Sequence, residues 1–506
     1  MPAELRCTLT LPGAVALGAY EGGALAALLS GLRGIREKPG EPEVRIDSIC
    51  ACSSGSVTAL LVARCLVEGL DPVRVLHKAW VTDGSLRPLF ARGVASPLDF
   101  SRLRTSADGL LSVPSDLTPL SPQGSPVHMS FGLGNLRGLG FSLPAIASPG
   151  HLSVTHVDWV DFILEAGVGL DQLTGPPNRS VLDSALASAA NQLAFPAQLI
   201  RRHTEEKIYL NRGVQNFPTS RAFWYTDGSF LYREPIGRAH HLARQLDAGS
   251  ATDFERLHVV VEPQPLVAAE GDDWADPARP PSWLDVLRRS AGVLLAQSTF
   301  DDLSRIAEVN DRLKAVNELV DRLTPVLNDL PNDVEAEICA ALDGDREGDD
   351  VDLPKRLQRA LAEAADVAGK SLSAVEVIAP AVNVNGVPGP RPLAGKAFFR
   401  FAGFLDEHLR QLDFDAGYED ALTWLSGGGL TRHQVSEELT EAAVMTARDA
   451  YQSPLTVEDR HRGLPLEGRW DLARLLLRVA TVGTYDLLRD SARARMARRR
   501  APLSAQ

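Results

Sequence analysis

Cysteine is scarce. The 506 residues hold five, an odd number at Cys7, Cys50, Cys52, Cys65 and Cys339. That excludes a disulfide framework, and their mostly apolar settings predict buried thiols in a reducing compartment such as the cytoplasm. Positive charge is also short. Lys and Arg number 52 against 65 Asp and Glu, a formal charge of −13, so no nucleic-acid-binding surface is expected. None of the 11 histidines has H-E-x-x-H or comparable ligand spacing, which argues against a metal site. No Gly-Lys-[Ser/Thr] follows a glycine-rich loop, so a nucleotide P-loop is excluded. Gly13, Gly18, Gly22 and Gly23 do not fall at G-x-G-x-x-G either. No cofactor is expected. Apolar stretches are interrupted, as at 184–200 by Asn191, Gln192 and Pro196, so no membrane span is predicted. Residues 1–6 lack a basic segment followed by an apolar one, and no secretory signal is read there.

What remains is an ordinary globular composition, 44% hydrophobic and 23% charged. Cys7, Leu9 and Leu11 alternate with Arg6, Thr8 and Thr10, the period of a strand. Leu25, Leu28, Leu29 and Leu32 then fall on one helical face. Residues 45–50 read as a second strand, and Val57, Leu60, Leu61 and Cys65 mark a second helix. This order predicts an α/β domain with a mostly parallel sheet. Residues 90–150, rich in Ser, Pro and Gly, read as extended loops around a short strand at 127–131. The run 257–261 reads as a buried strand and 263–282 as a linker. Beyond it the pattern turns helical. Ile306, Val309, Leu313, Val316 and Val320 step by threes and fours, which predicts an intramolecular helix pair rather than a coiled-coil dimer. An amphipathic helix and turn is expected at 398–425 and a final helix at 470–488.

The chemistry concentrates on Ser53, in Cys50-Ala51-Cys52-Ser53-Ser54-Gly55-Ser56. A strand, a tight turn and a helix are what a nucleophile elbow requires, because the turn pushes Oγ out of the backbone at the positive end of a helix. Ala51 stands where glycine is commoner. The loop Pro12-Gly13-Ala14-Val15-Ala16-Leu17-Gly18 has small residues that leave backbone N–H groups accessible to an oxyanion, or it is a plain connector. Asp227, before Gly228, occupies a turn from which it can enter a site made by other strand ends, although Asp-Gly by itself marks only a turn.

Taken with the alanine-rich segment 185–195 that precedes Pro196, these segments resemble the patatin-like phospholipase family. The loop at 11–23 resembles its oxyanion motif, the Ser53 segment its elbow, and 227–235 its catalytic-aspartate segment. The resemblance covers about residues 5–265 and implies a three-layer α/β catalytic domain at 1–265. Residues 266–506 would form a mainly helical region that packs on it or extends it. It further implies a lipid acyl hydrolase of phospholipase A or esterase type, with Ser53 as nucleophile and Asp227 as the sole base. The oxyanion donors would be backbone N–H groups of Gly13, Ala14, Val15 and Ser54. The substrate would be a lipid or other fatty-acyl ester, met from the water side in peripheral contact with a membrane.

The departures from the family pattern are specific. Gly13-Ala14-Val15 replaces three consecutive glycines, Leu17 replaces a basic residue, and Arg233 replaces an asparagine. Val15 can present its N–H if its φ is negative, but not if the loop needs left-handed geometry. An alternative is a catalytically weak or inactive lipid-binding or scaffold protein. Another is a hydrolase using His203, His240 or His258 as base. Cys50-x-Cys52 reads as packing residues, residues 343–352 as a solvated acidic loop rather than a calcium loop, and the Arg-rich tail at 489–500 as a frayed helix end or an anionic-lipid contact. Oligomeric state is not encoded in any of these patterns.

Overall fold

A computed structural model describes residues 4–482, apart from 36–41, 91–95, 112–116, 122–124, 143–151, 167–173, 176–178, 193, 211–213, 216, 232–234, 249, 251–252, 265–282, 344–351, 368–371, 385–386, 397–399 and 457–469. Arg233, the linker from 265 on, the acidic loop at 344–351, Phe398, Phe399 and the Arg-rich tail therefore lie outside the described residues. Two compact units emerge. One comprises Met1–Ser282 with Val375–Gln506, the other Trp283–Ala374.

In the larger unit, β1 (Glu4–Leu11), α1 (Gly18–Gly34), β2 (Glu43–Cys52) and α2 (Ser54–Glu68) follow the order read from the sequence. After α3 (Pro72–His77) and α4 (Ser101–Leu111) come β3 (Val127–Ser142) and β4 (Leu152–Leu164). Then follow α5 (Val181–Ser188), β5 (Gln198–Arg201), β6 (Ala222–Asp227), α6 (Ile236–Asp247) and β7 (Phe254–Val261). A late strand, β8 (Ala374–Ile378), joins at the edge. The strand order is β8-β7-β1-β2-β3-β6-β5, with β4 and the two-residue strand Val214–Gln215 also on β3. The centre β7-β1-β2-β3 is parallel, and β4, β5 and β6 add on antiparallel. The expected α/β class with flanking helices is what is seen.

The alternation in β1 predicts one polar face, yet Thr8 and Thr10 are fully buried. The register pairs Thr10 with Cys50, and α6 closes over that face by packing Ala239 and Leu242 on Cys50. Thr8 Oγ1 is satisfied by Ser48 Oγ at 2.8 Å. α1 and α2 take the opposite face, so helices cover both sides of the sheet and the strand is buried throughout.

The described residues within 90–150 hold a helix and a long strand. Asp99 takes the N–H of Ser101 at 2.8 Å and starts α4, and Leu103 packs on a core cluster of Phe100, Leu186 and Ala190. The short strand expected at 127–131 is the 16-residue β3, whose register shifts between Gly134 and Leu139.

Among the described residues, one stretch, Val15–Gly34, is long and apolar enough to cross a membrane, but 94% of its apolar window is buried inside the fold. Its outer cover is α10 (Glu407–Ser426) and α11 (Glu437–Ala450), once the smaller unit's three helices are counted in sequence. A Cβ on Gly23 would stand 1.9 Å from the Phe414 carbonyl oxygen, and one on Gly417 2.0 Å from that of Tyr20. Those two glycines permit the close helix crossing.

The smaller unit holds α7 (Trp283–Asn328), α8 (Asn332–Asp343) and α9 (Leu353–Ala364). Leu313 and Val316 pack with Val367, Leu361 and Ala365. The heptad-spaced residues thus face a helix of the same chain.

Candidate active site

Register explains how two side chains 174 positions apart converge. Cys52 on β2 pairs with Gly132 on β3, and the next residue of β3, Leu133, pairs with Asp227. Ser53 follows Cys52 directly, so it leaves the sheet level with the end of β6. Its backbone sits at φ 55°, ψ −135°, a strained conformation for a residue with a side chain. Ser53 Oγ donates to Asp227 Oδ2 at 2.6 Å, both residues buried, and has no other hydrogen-bond partner among the described residues.

The elbow is held by its surroundings. A Cβ on Gly55 would lie 2.7 Å and 2.8 Å from the carbonyl oxygens of Leu11 and Pro12, so glycine lets α2 start against the end of β1. Ser188 Oγ, at the end of α5, accepts the Ser53 N–H at 2.9 Å and donates to the Gly132 carbonyl at 2.6 Å. It also meets Ser56 Oγ at 2.9 Å. Sequence reasoning passed over Ser188, whose only signal is a hydroxyl within the alanine-rich segment.

Asp227 is fixed from three sides. Its Oδ1 accepts the Ser229 N–H and the Ser229 hydroxyl, each at 2.8 Å. Its own N–H goes to the Ala190 carbonyl at 3.0 Å, which gives the alanine-rich segment a structural role. Two residues earlier on the same strand face, Tyr225 donates to Asp158 at 2.7 Å, and Asp158 pairs with the buried Arg202 at 2.9 Å. Burial lifts the Asp227 carboxyl above the ordinary carboxylate value, while the bonds from Ser53 and Ser229 pull it back. The result is a carboxylate more basic than a solvated one.

The loop at 13–17 lies against this pair. A Cβ on Gly13 would be 2.4 Å from Ser229 Cβ and 3.2 Å from Ser53 Cβ, so only glycine fits. The Ala14 N–H donates to Ser54 Oγ at 3.1 Å, so an oxyanion on that amide would first have to displace the hydroxyl. Ser54 opens α2, and its own N–H has no acceptor within the helix. Val15 sits at φ 56°. The negative φ required for its N–H to serve is not met, and its side chain instead joins the wall of a cleft.

That cleft runs from Ser53 and Ser54 past Val57, Leu61, Trp80, Phe100 and Phe195. Phe401 and Phe404 also line it, although Phe401 belongs to a packed core cluster as well. An alkyl chain would meet an almost wholly apolar wall.

The three candidate histidines make their contacts elsewhere. His203 is bonded to Arg221, and the rings of His240 and His258 lie 3.8 Å apart between α6 and β7. Burial holds both below the ordinary imidazole value, His240 at about 4. All five cysteines are free, and burial pushes the Cys50 and Cys52 thiols up, away from thiolate chemistry. Among the described residues, no three His, Cys, Asp or Glu side chains gather as a metal ion would need.

Residues 9–240 match the family model for the patatin-like phospholipases. No curated protein matches the chain. Among solved structures, VipD from Legionella pneumophila is similar at 10% identity over 98% of this chain and 88% of that one, with a TM-score of 0.26.

Proposed function

From the premise that residues 9–240 are a patatin-like phospholipase domain, a lipid-hydrolase domain, we propose that this protein cleaves fatty-acyl esters with a Ser53–Asp227 dyad. The observation that carries the reading is the buried 2.6 Å hydrogen bond from Ser53 Oγ to Asp227 Oδ2. Asp227 takes the Oγ proton as the oxygen attacks the ester carbonyl carbon. The tetrahedral oxyanion is held by N–H groups of Gly13, Ala14 and Ser54, with the Ser54 hydroxyl displaced from Ala14. Collapse breaks the ester bond. The leaving alcohol takes the proton from Asp227, and the acyl group stays on Ser53. Water then gives a proton to Asp227 as it attacks the acyl carbon, and collapse breaks the bond to Ser53 Oγ, which takes that proton back as the fatty acid leaves. The apolar cleft beside Ser53 supports an alkyl-chain substrate, with approach from a lipid surface.

A second reading, a weak or inactive lipid-binding protein, draws on the occupied Ala14 amide and the strained Val15. One experiment separates the two. The protein is treated with a fluorophosphonate probe and assayed on p-nitrophenyl butyrate. Labelling lost in Ser53→Ala, with turnover down at least ~100-fold in both Ser53→Ala and Asp227→Ala, is the expected result. Turnover unchanged in both variants removes this site from the chemistry.

A further inference from the structure

We propose that Arg400, far outside the segments that carry the family pattern, is a positioning residue that aims the oxyanion loop. This rests on the ester-hydrolase reading above. Arg400 Nη1 donates to the carbonyl oxygen of Gly13 at 2.9 Å, a contact across 387 positions. The peptide that joins Gly13 to Ala14 is planar and trans, so its carbonyl and its N–H point in opposite directions. A guanidinium gripping the carbonyl on one side therefore turns the Ala14 N–H to the other. There it meets Ser54 Oγ, on the wall of the cleft that also holds Ser53 and Val15. The cation also polarises that amide and strengthens its N–H as a donor.

Residues on either side of Arg400 are held by α10. Asp413 on α10 accepts the N–H groups of Ala394 and Gly395, at 2.6 Å and 2.8 Å. Arg410, also on α10, donates to the Gly403 carbonyl at 2.9 Å and to that of Val81 at 2.7 Å. At those two holds the chain presses on the loop. A Cβ on Gly403 would stand 2.9 Å from Ala16 Cβ, and one on Gly395 3.1 Å from Leu17 Cδ2. Arg400 and Val15 both sit in left-handed backbone, at φ 69° and 56°. Neither is glycine, so packing from outside must hold the loop in a shape its own sequence disfavours. Position 17, where the resemblance calls for a basic residue, is Leu. The positive charge at this loop comes from position 400 instead.

The test compares wild type with Arg400→Ala and Arg400→Lys. The readouts are steady-state kinetics on p-nitrophenyl butyrate, thermal melting, and hydrogen–deuterium exchange of peptides spanning residues 12–18. A misaimed donor should lower kcat by about 10- to 100-fold in Arg400→Ala with KM within about threefold. Exchange at 13–17 should quicken while β1 and α2 stay protected, and Arg400→Lys should recover part of kcat. Wild-type kcat in Arg400→Ala overturns the proposal. So does a loss of activity with unchanged exchange at 13–17, or one that tracks a lowered melting temperature with no recovery in Arg400→Lys. If wild-type turnover survives Ser53→Ala, the ester-hydrolase reading fails instead. The exchange data then decide by themselves whether Arg400 holds the loop.

Discussion

Burial raises the basicity of Asp227, and hydrogen bonds from Ser53 and Ser229 oppose it, Ser229 supplying two of the three that reach the carboxylate among the described residues. In the proposed mechanism the active form has Asp227 ionised, so kcat/KM should fall as pH drops through the Asp227 pKa, which burial holds above the ordinary value. Ser229→Ala removes the hydroxyl donor, makes the ionised form less favourable, and should move that acid limb to higher pH. A pH–rate profile that does not move would mean Ser229 leaves the base untouched. The same raised pKa has a stability consequence. Because the folded carboxyl binds its proton more tightly than the unfolded one, the stability it contributes is present at low pH and lost as pH rises through the folded pKa. Asp227→Asn is neutral throughout. Its melting temperature should exceed that of the wild type at pH 8, and the difference should close toward pH 4.

The loop between β1 and α1 and the elbow between β2 and α2 are both strained, but only the elbow's strain is expected of its sequence. Ser53 at φ 55° belongs to a strand–turn–helix signature that was legible from residues 45–65. Val15 at φ 56° was not foreseeable from the residue, since a β-branched side chain argues against left-handed backbone there. Val15→Gly should remove about 1–2 kcal/mol of left-handed strain, partly offset by about 0.5–1 kcal/mol of added chain entropy. A small net gain of stability is expected in a urea titration. A clear loss would mean the side chain's place in the cleft wall outweighs its strain. The elements that went unread share one cause. α4 is started by Asp99 and its Leu103 packs on a cluster of Phe100, Leu186 and Ala190, of which Leu186 and Ala190 come from far later in the chain. β3 runs to 16 residues through glycines at 132, 134, 138 and 140, which composition alone assigns to loops; its partners β4 and β6 make it a strand. Ser188 and Arg400 are similar cases, because what they touch is fixed only by the completed sheet and its cover.

Across the whole chain, the family match ends at 240, whereas the packing around the proposed site does not. α10 lies on α1, with Tyr20 donating to Asp420 at 3.0 Å and Gly23 and Gly417 in mutual close approach. Phe414, Tyr418, Leu425 and Tyr20 are all buried, Tyr418 the most exposed of them at 3%. Removing the C-terminal helices would strip the cover from α1. Each large apolar side chain exposed costs about 1.5–3 kcal/mol, so a handful matches the whole ~5–15 kcal/mol that holds a typical fold together. A chain truncated after residue 265 keeps Ser53 and Asp227 but loses Arg400 and everything that buries the outer side of α1. Such a chain should collect in the insoluble fraction and take no fluorophosphonate label at Ser53. Co-expression with residues 375–506 should restore both solubility and labelling, because those residues share a compact unit with the N-terminal segment. A soluble 1–265 fragment that unfolds cooperatively and labels at the wild-type rate would show that the sheet and α1 fold without that cover. The C-terminal helices would then be an attachment to the domain rather than part of its core.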